Sequence, residues 1–363
     1  MEMEEGSHIT KELNGDENGE YRSGPPTYCV TGANGYIGSW LVKLLLEKGY
    51  KVHATVRDTA KVMHLLSLWP GGDRLRLFRA DLQEEGSFDE PIKSCDGVFH
   101  VAASMEFDVP EVDNLDNYVN SIIIDPAING TLNLLRSCSK SKTVKRVVFT
   151  SSISTLTARD SLGKWRQVVD ETCRTPVDQV WNTKASGWVY ALSKLLSDEA
   201  AFKYAKENSI DLISVITTTV AGPFLTLTVP SSIQVLLSPI TGDSKFYSIL
   251  SAVNARMGSI ALVHIEDISN AHLFLMEQSQ VQDRYISCTH SCPLNELIDR
   301  LAEAYPSPII NRLVGERQDS TPPEISSEKL RALGFSYKYD IQDIIRDTII
   351  CCVDNGFLPS TEK

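Results

Sequence analysis

Tyr190 and Lys194, four positions apart in the segment WVYALSK, have the residue types and spacing of a proton-transfer pair. A separation of four puts both side chains on one face of a helix. A phenol, with a reference pKa of about 10, is a poor acid–base group at neutral pH. A nearby ammonium and the positive charge of an oxidised nicotinamide favour its ionised form, so the hydroxyl can exchange a proton with a substrate oxygen while Lys194 also holds the nicotinamide ribose. Tyr-x-x-x-Lys alone is common by chance and usually decorates a solvated helix, so its meaning depends on its company. That company is VVFTSSIS, an apolar strand pattern ending in hydroxyls about 40 residues earlier. A serine there, Ser151 or Ser152, can orient a carbonyl and donate to the developing oxyanion.

A second constellation lies near the start. In YCVTGANGYIGSWLVKLLLEKGY, Gly32, Gly35 and Gly38 form a G-x-x-G-x-x-G array between an apolar strand and an amphipathic helix. Such glycines permit a tight turn, close approach of backbone to a pyrophosphate, and close packing of helix on strand. The helix start, with Tyr36 and Ile37, then offers free N–H groups to phosphate. The next strand ends in TVRD, where an acidic residue accepts from a free ribose 2′-hydroxyl and an arginine accommodates a 2′-phosphate. Arg57, with Lys61 as a second cation, predicts NADP(H); Asp58 is the residue that would select NAD instead. Asp81, with Leu82 in RADL, suits the adenine amino group, and otherwise reads as a turn or helix-cap residue.

These residues need a sheet to hold them. Strand patterns near 28–31, 51–56, 74–79, 97–101, 145–150 and 211–216 alternate with helical spacing, which predicts an α/β fold: a Rossmann-type doubly wound parallel sheet with ligands at the carboxyl edge of its strands. Residues 1–25, acidic and poor in apolar side chains, predict a disordered arm. Residues 26–222 then form the NADP-binding domain, with returns to its core near 260–290, where SIALVHIEDISNAHLFL reads as a strand and a helix. Residues 223–358, beginning with the Pro, Ser and Thr clusters of GPFLTLTVPSS and SPITGDS, form mainly a smaller C-terminal substrate-binding lobe.

The 363-residue chain has a formal net charge of −12 and lacks the clustered Lys and Arg that phosphate neutralisation requires, which excludes a nucleic-acid partner. No apolar run is long enough to span a bilayer, and the N-terminus has no signal-peptide pattern. Eight scattered cysteines with mostly apolar neighbours fit reduced core thiols and a cytosolic setting. Cys288 and Cys292, with only His290 nearby, fall short of a zinc ligand set, so no metal is expected, nor is an obligate protein partner.

The glycine array, TVRD, ADL, VFHVAA, VVFTSS and Tyr-x-x-x-Lys occur in the order and spacing of extended short-chain dehydrogenases. SPITGDS, VHIEDISNAH, RYISC and ISSEKLRALGFSYKY more narrowly resemble the plant dihydroflavonol reductase and anthocyanidin reductase group, over about residues 27 to 357. The resemblance implies hydride transfer from NADPH to a carbonyl or flavylium-type centre of a flavonoid-like phenolic substrate. It implies Ser152, rather than Ser151, as the third member with Tyr190 and Lys194, and backbone at Ala102 and Thr150 lining the cofactor channel. Thr217 stands where much of the group has a proline that packs on the nicotinamide. Thr157 stands where dihydroflavonol reductases usually carry an asparagine that contacts a ring hydroxyl. The stretch FYSILSAVNARMGSIAL matches anthocyanidin reductases in length, and GWVYALSK lacks the Asn-Trp-Tyr-Cys signature of cinnamoyl-CoA reductases. Met105, Phe107, Thr157, Trp181, Trp188 and the segment LTLTVPSSI are expected to wall a flat substrate. The competing readings are an NADP-binding regulatory protein without catalysis and a hydroxysteroid dehydrogenase or sugar-nucleotide epimerase on the same scaffold. A diphosphate substrate needs a cluster of cations, and residues 222–262 contain only Lys245 and Arg256.

Overall fold

A computed structural model describes residues 24–313 and 322–360; the expected acidic arm, apart from its last two residues, lies outside the described residues. The strands are β1 (Thr27–Thr31), β2 (Lys51–Val56), β3 (Leu75–Arg79), β4 (Gly97–His100), β5 (Arg146–Ser152), β6 (Val168–Val169), β7 (Leu212–Thr217), β8 (Thr219–Ala221), β9 (Ile260–His264), β10 (Asp283–Ser287), β11 (His290–Cys292) and β12 (Glu324–Ile325). Seven of them form one parallel sheet in the order β10-β7-β5-β4-β1-β2-β3, the Rossmann-type arrangement expected from the sequence.

Period-two geometry divides the side chains of these strands between two helical layers. Val148 of β5 joins Val30 and Val52 under the helices Tyr36–Glu47 and Ile265–Glu277, which contribute Leu41, Leu45, Ile268 and Leu275. Val147 and Phe149, pointing the other way, meet Leu134 and Leu135 of helix Asp125–Lys140 and Ala201 and Ala205 of helix Trp188–Glu207. Small alanines on that last helix let it lie close to its neighbours.

The strand order leaves β1 in both directions, towards β2 and towards β4, so a crevice opens at the carboxyl ends of β1 and β4. Beyond residue 222 the sequence expectation is refined. The helix Ile265–Glu277 does return to the main sheet, but β9 pairs with β8 and β11 in a separate three-stranded sheet, and the seventh main-sheet strand is β10. Helices Ser231–Thr241, Ser244–Met257, Leu294–Ala304 and Ile341–Asp354 share a second core through Ile233, Leu236, Ile249, Leu297 and Ile344.

Candidate active site

The chain leaves β1 through Gly32, at φ +65°, where a Cβ would stand 2.9 Å from Ala102 Cα. Conformation and space therefore both demand glycine. The Thr31 hydroxyl accepts from the Val101 and Ala102 N–H groups at 3.1 and 3.0 Å, clamping the end of β4 against the turn. With both lone pairs used, its own proton goes to His100 Nδ1, 3.0 Å away. Burial, helped by the charge of Lys194, pulls the His100 pKa down to about 3, so this ring is neutral. Gly35 N–H then donates to the Gly32 carbonyl at 2.9 Å, and a Cβ on Gly38 would lie 2.2 Å from that same oxygen. No side chain among the described residues caps the helix that begins at Tyr36. The result is a concave turn of bare backbone, closed by glycines and led by the N–H groups of Tyr36, Ile37 and Gly38, and its donor chemistry fits a pyrophosphate.

At the end of β2, Asp58 spends a carboxylate oxygen capping the short turn Thr59–Val62, accepting from Ala60 N–H at 3.0 Å. The side chains of Arg57 and Lys61 are exposed and make no hydrogen bond or ion pair among the described residues. The cations are thus uncommitted where the nearby acid is engaged. Asp81 is half-buried and accepts from Gln83 N–H at 3.0 Å, while the Leu82 carbonyl takes Asn133 Nδ2 at 2.8 Å and Gly130 leaves room for the Leu82 side chain.

Helix Trp188–Glu207 starts at Gly187, in the left-handed conformation with φ +77°. It is fixed from below by Asp198, which is fully buried. The Asp198 carboxylate takes Arg174 Nη2 at 3.2 Å, Arg284 Nη2 of β10 at 3.1 Å, and the Ser214 hydroxyl of β7 at 3.2 Å. These bonds set the rotation of the helix against the sheet and so aim Tyr190 and Lys194. Lys194 Nζ donates to the Thr150 carbonyl at 3.2 Å. Burial pulls its pKa down to about 8, with Asp198, one turn further on, pulling the other way. Thr150 is itself held by its hydroxyl, 2.8 Å from His272 Nε2, and His272 Nδ1 faces the Ile268 carbonyl at 2.7 Å. Since a carbonyl only accepts, the proton of the neutral ring sits on Nδ1 and Thr150 donates to Nε2.

The Tyr190 and Ser152 hydroxyls share a hydrogen bond; burial raises the phenol pKa and this bond opposes the rise. Ser152 Oγ also accepts from Ser154 N–H at 3.1 Å, which leaves its proton free to point at Tyr190 or at a substrate oxygen. The Ser151 hydroxyl is buried without a partner among the described residues, and the Ser151 carbonyl takes the Thr217 hydroxyl at 3.1 Å. Thr217 is thus tied into the β5–β7 ladder.

Of the expected wall residues, Phe107 lies with its ring centroid 5.2 Å from that of Tyr190. Trp188 packs edge-on against Trp181 at 5.3 Å, beneath Lys184. Met105 is exposed, and Thr157 is buried with its oxygen accepting from Arg159 N–H at 3.2 Å. Two surface cavities, about 230 and 320 Å³, have neither Ser152, Tyr190 nor Lys194 in their walls. His290, Cys292 and Glu296 come within 4.8 Å of one another, although Glu296 is already forked by Arg300. Sequence reasoning missed Asp198 and His272. The first had a readable signal, since it continues the Tyr190–Lys194 face by another four residues; the second had none, because its partner is 122 residues away.

Residues 28–286 match the NAD dependent epimerase/dehydratase family. A Ginkgo biloba protein assigned as an anthocyanidin reductase is 45% identical over 92% of this chain and 96% of its own length. Dihydroflavonol 4-reductase of Arabidopsis thaliana is 41% identical over 92% and 84%. The crystal structure of vestitone reductase from alfalfa (Medicago sativa) superposes with a TM-score of 0.75 at 32% identity, covering 92% of this chain and 99% of that one. The chain belongs to the NAD dependent epimerase/dehydratase family, among its dihydroflavonol 4-reductase and anthocyanidin reductase relatives.

Proposed function

We propose that the protein is an NADPH-dependent reductase of a carbonyl, or flavylium-type, centre on a flavonoid-like phenolic substrate, with Ser152, Tyr190 and Lys194 as its catalytic residues. The observation that carries this reading is the hydrogen bond between the Ser152 and Tyr190 hydroxyls, with Lys194 one helical turn along. When bound, NADPH supplies the hydride. Ser152 orients the acceptor oxygen and donates to the negative charge that develops there. Tyr190, kept protonated by its burial, gives that oxygen its proton. Lys194, anchored at the Thr150 carbonyl, holds a positive charge that steadies the phenolate left behind. Gly32, Gly35, Tyr36, Ile37, Gly38 and the Ala102 backbone hold the pyrophosphate end, Arg57 and Lys61 the 2′-phosphate, Asp81 and Leu82 the adenine, and Thr150 and Thr217 the nicotinamide end. Phe107, Met105, Thr157 and Trp188 meet the substrate. Eight free cysteines suit a cytosolic setting, and no helix among the described residues is long and apolar enough to cross a membrane.

Tyr190→Phe tests the mechanism. Loss of NADPH consumption with NADPH affinity nearly intact is the expected result; full turnover in this variant would sink the assignment.

A further inference from the structure

The helix Ser244–Met257 runs beside the catalytic residues. A Cβ on Gly187 would touch Ile249 at 3.7 Å and Phe107 at 3.8 Å, and Phe107 in turn packs on Tyr190. Val253 packs in the cluster of Leu156 and Ala158, and the Arg256 carbonyl accepts from Ala158 N–H at 3.4 Å. Residues 249, 253 and 256, spaced by four and three, share the helix face turned to the segment that follows Ser152.

Arg256 is the cation on this helix face. Its side chain makes no hydrogen bond or ion pair among the described residues, and its Nε is buried. Lys245, the other cation between residues 222 and 262, is paired with Asp108 at 2.5 Å. Burial lowers the Arg256 pKa to about 10, and the guanidinium remains charged at neutral pH. Arg256 is half-buried, so a guanidinium with its Nε covered and no carboxylate against it among the described residues keeps its remaining N–H donors for an incoming anion.

We infer that Arg256 is the substrate's anchor and that the substrate carries an oxyanion, a carboxylate or an ionised phenol, at the end remote from the carbonyl. The planar fork of a guanidinium suits this chemistry, bidentate to a carboxylate and single to a phenolate. The inference rests on the reductase reading and narrows its substrate class.

The test compares wild type, Arg256→Met and Arg256→Lys on three flavanones that differ only in the para substituent of the pendant ring: carboxylate, hydroxyl or carboxamide. Calorimetry gives Kd for each, and NADPH consumption gives turnover. A charge-assisted pair predicts that wild type binds the carboxylate roughly ten- to a hundredfold more tightly than the carboxamide. Arg256→Met should bring that ratio close to one, and Arg256→Lys should retain part of it. The hydroxyl compound should gain over the carboxamide only at a pH that ionises its phenol, which separates the two sources of oxyanion. Because the guanidinium has no partner among the described residues, Arg256→Met should melt no lower than wild type. A wild-type ratio of one, a ratio that Arg256→Met leaves unchanged, or a lower melting temperature for that variant would overturn the inference. Failure of the reductase reading shows itself separately, as absence of NADPH consumption with all three compounds, and leaves the binding ratio readable.

Discussion

Gly38→Ala tests the phosphate-binding turn most directly. The added Cβ would lie 2.2 Å from the Gly32 carbonyl oxygen and 2.9 Å from the Gly32 carbonyl carbon, and both are backbone atoms that no side-chain rotation can clear. To reach the 3.4 Å of ordinary contact, oxygen and Cβ must part by about 1.2 Å. That oxygen accepts the Gly35 N–H at 2.9 Å, so the displacement also opens the turn. Overpacking of this kind costs about 1–3 kcal/mol, and loss of the turn bond adds roughly 1 kcal/mol. At about 2 °C per kcal/mol for a domain of this size, the melting temperature should fall by roughly 4–8 °C.

The effect on cofactor should be the larger one. Shifting the helix start removes at least one charge-assisted N–H contact to phosphate, for about 1.5–3 kcal/mol, or roughly ten- to a hundredfold in Kd. Calorimetric titration with NADPH measures it. Gly49→Ala is the control: Gly49 has φ +90° with nothing within 4 Å of the added Cβ, so it should lose stability through backbone strain alone and keep its NADPH affinity. Equal NADPH affinity in Gly38→Ala and wild type would refute the turn as the phosphate site.

Two further outcomes follow from the same geometry. Arg57→Ala should weaken NADPH far more than NADH, since Asp58 is spent on its own turn and Arg57 is uncommitted; equal losses in the two titrations would show that the arginine does not meet the 2′-phosphate. Lys194, with its pKa pulled down to about 8 by burial, is charged below that value and neutral above it, so kcat/KM for reduction should fall as pH rises through about 8. Lys194→Arg, which stays charged, should not show that limb in its pH profile, and a flat wild-type profile from pH 7 to pH 10 would contradict the role given to the ammonium.

The parts of this molecule that could be read from the sequence are those whose causes are local. An apolar, β-branched run such as VVF announces a buried strand, a glycine triplet between strand and helix announces a phosphate turn, and a four-residue step announces a shared helix face. β10 was harder to place because its sequence, DRYIS, carries a charge into the sheet, and Arg284 is acceptable there only because Asp198 arrives from a helix 86 positions earlier. The choice between Ser151 and Ser152 has the same character. The two hydroxyls are chemically identical and adjacent, and alternation along β5 decides which of them reaches Tyr190. Arg256 is the opposite case. Its type and position were visible from the start, but an arginine on an amphipathic helix ordinarily reaches water or an acid. Only the packed structure shows that its Nε is covered and that its side chain meets no acid among the described residues, and on the reading above this charge anchors the substrate.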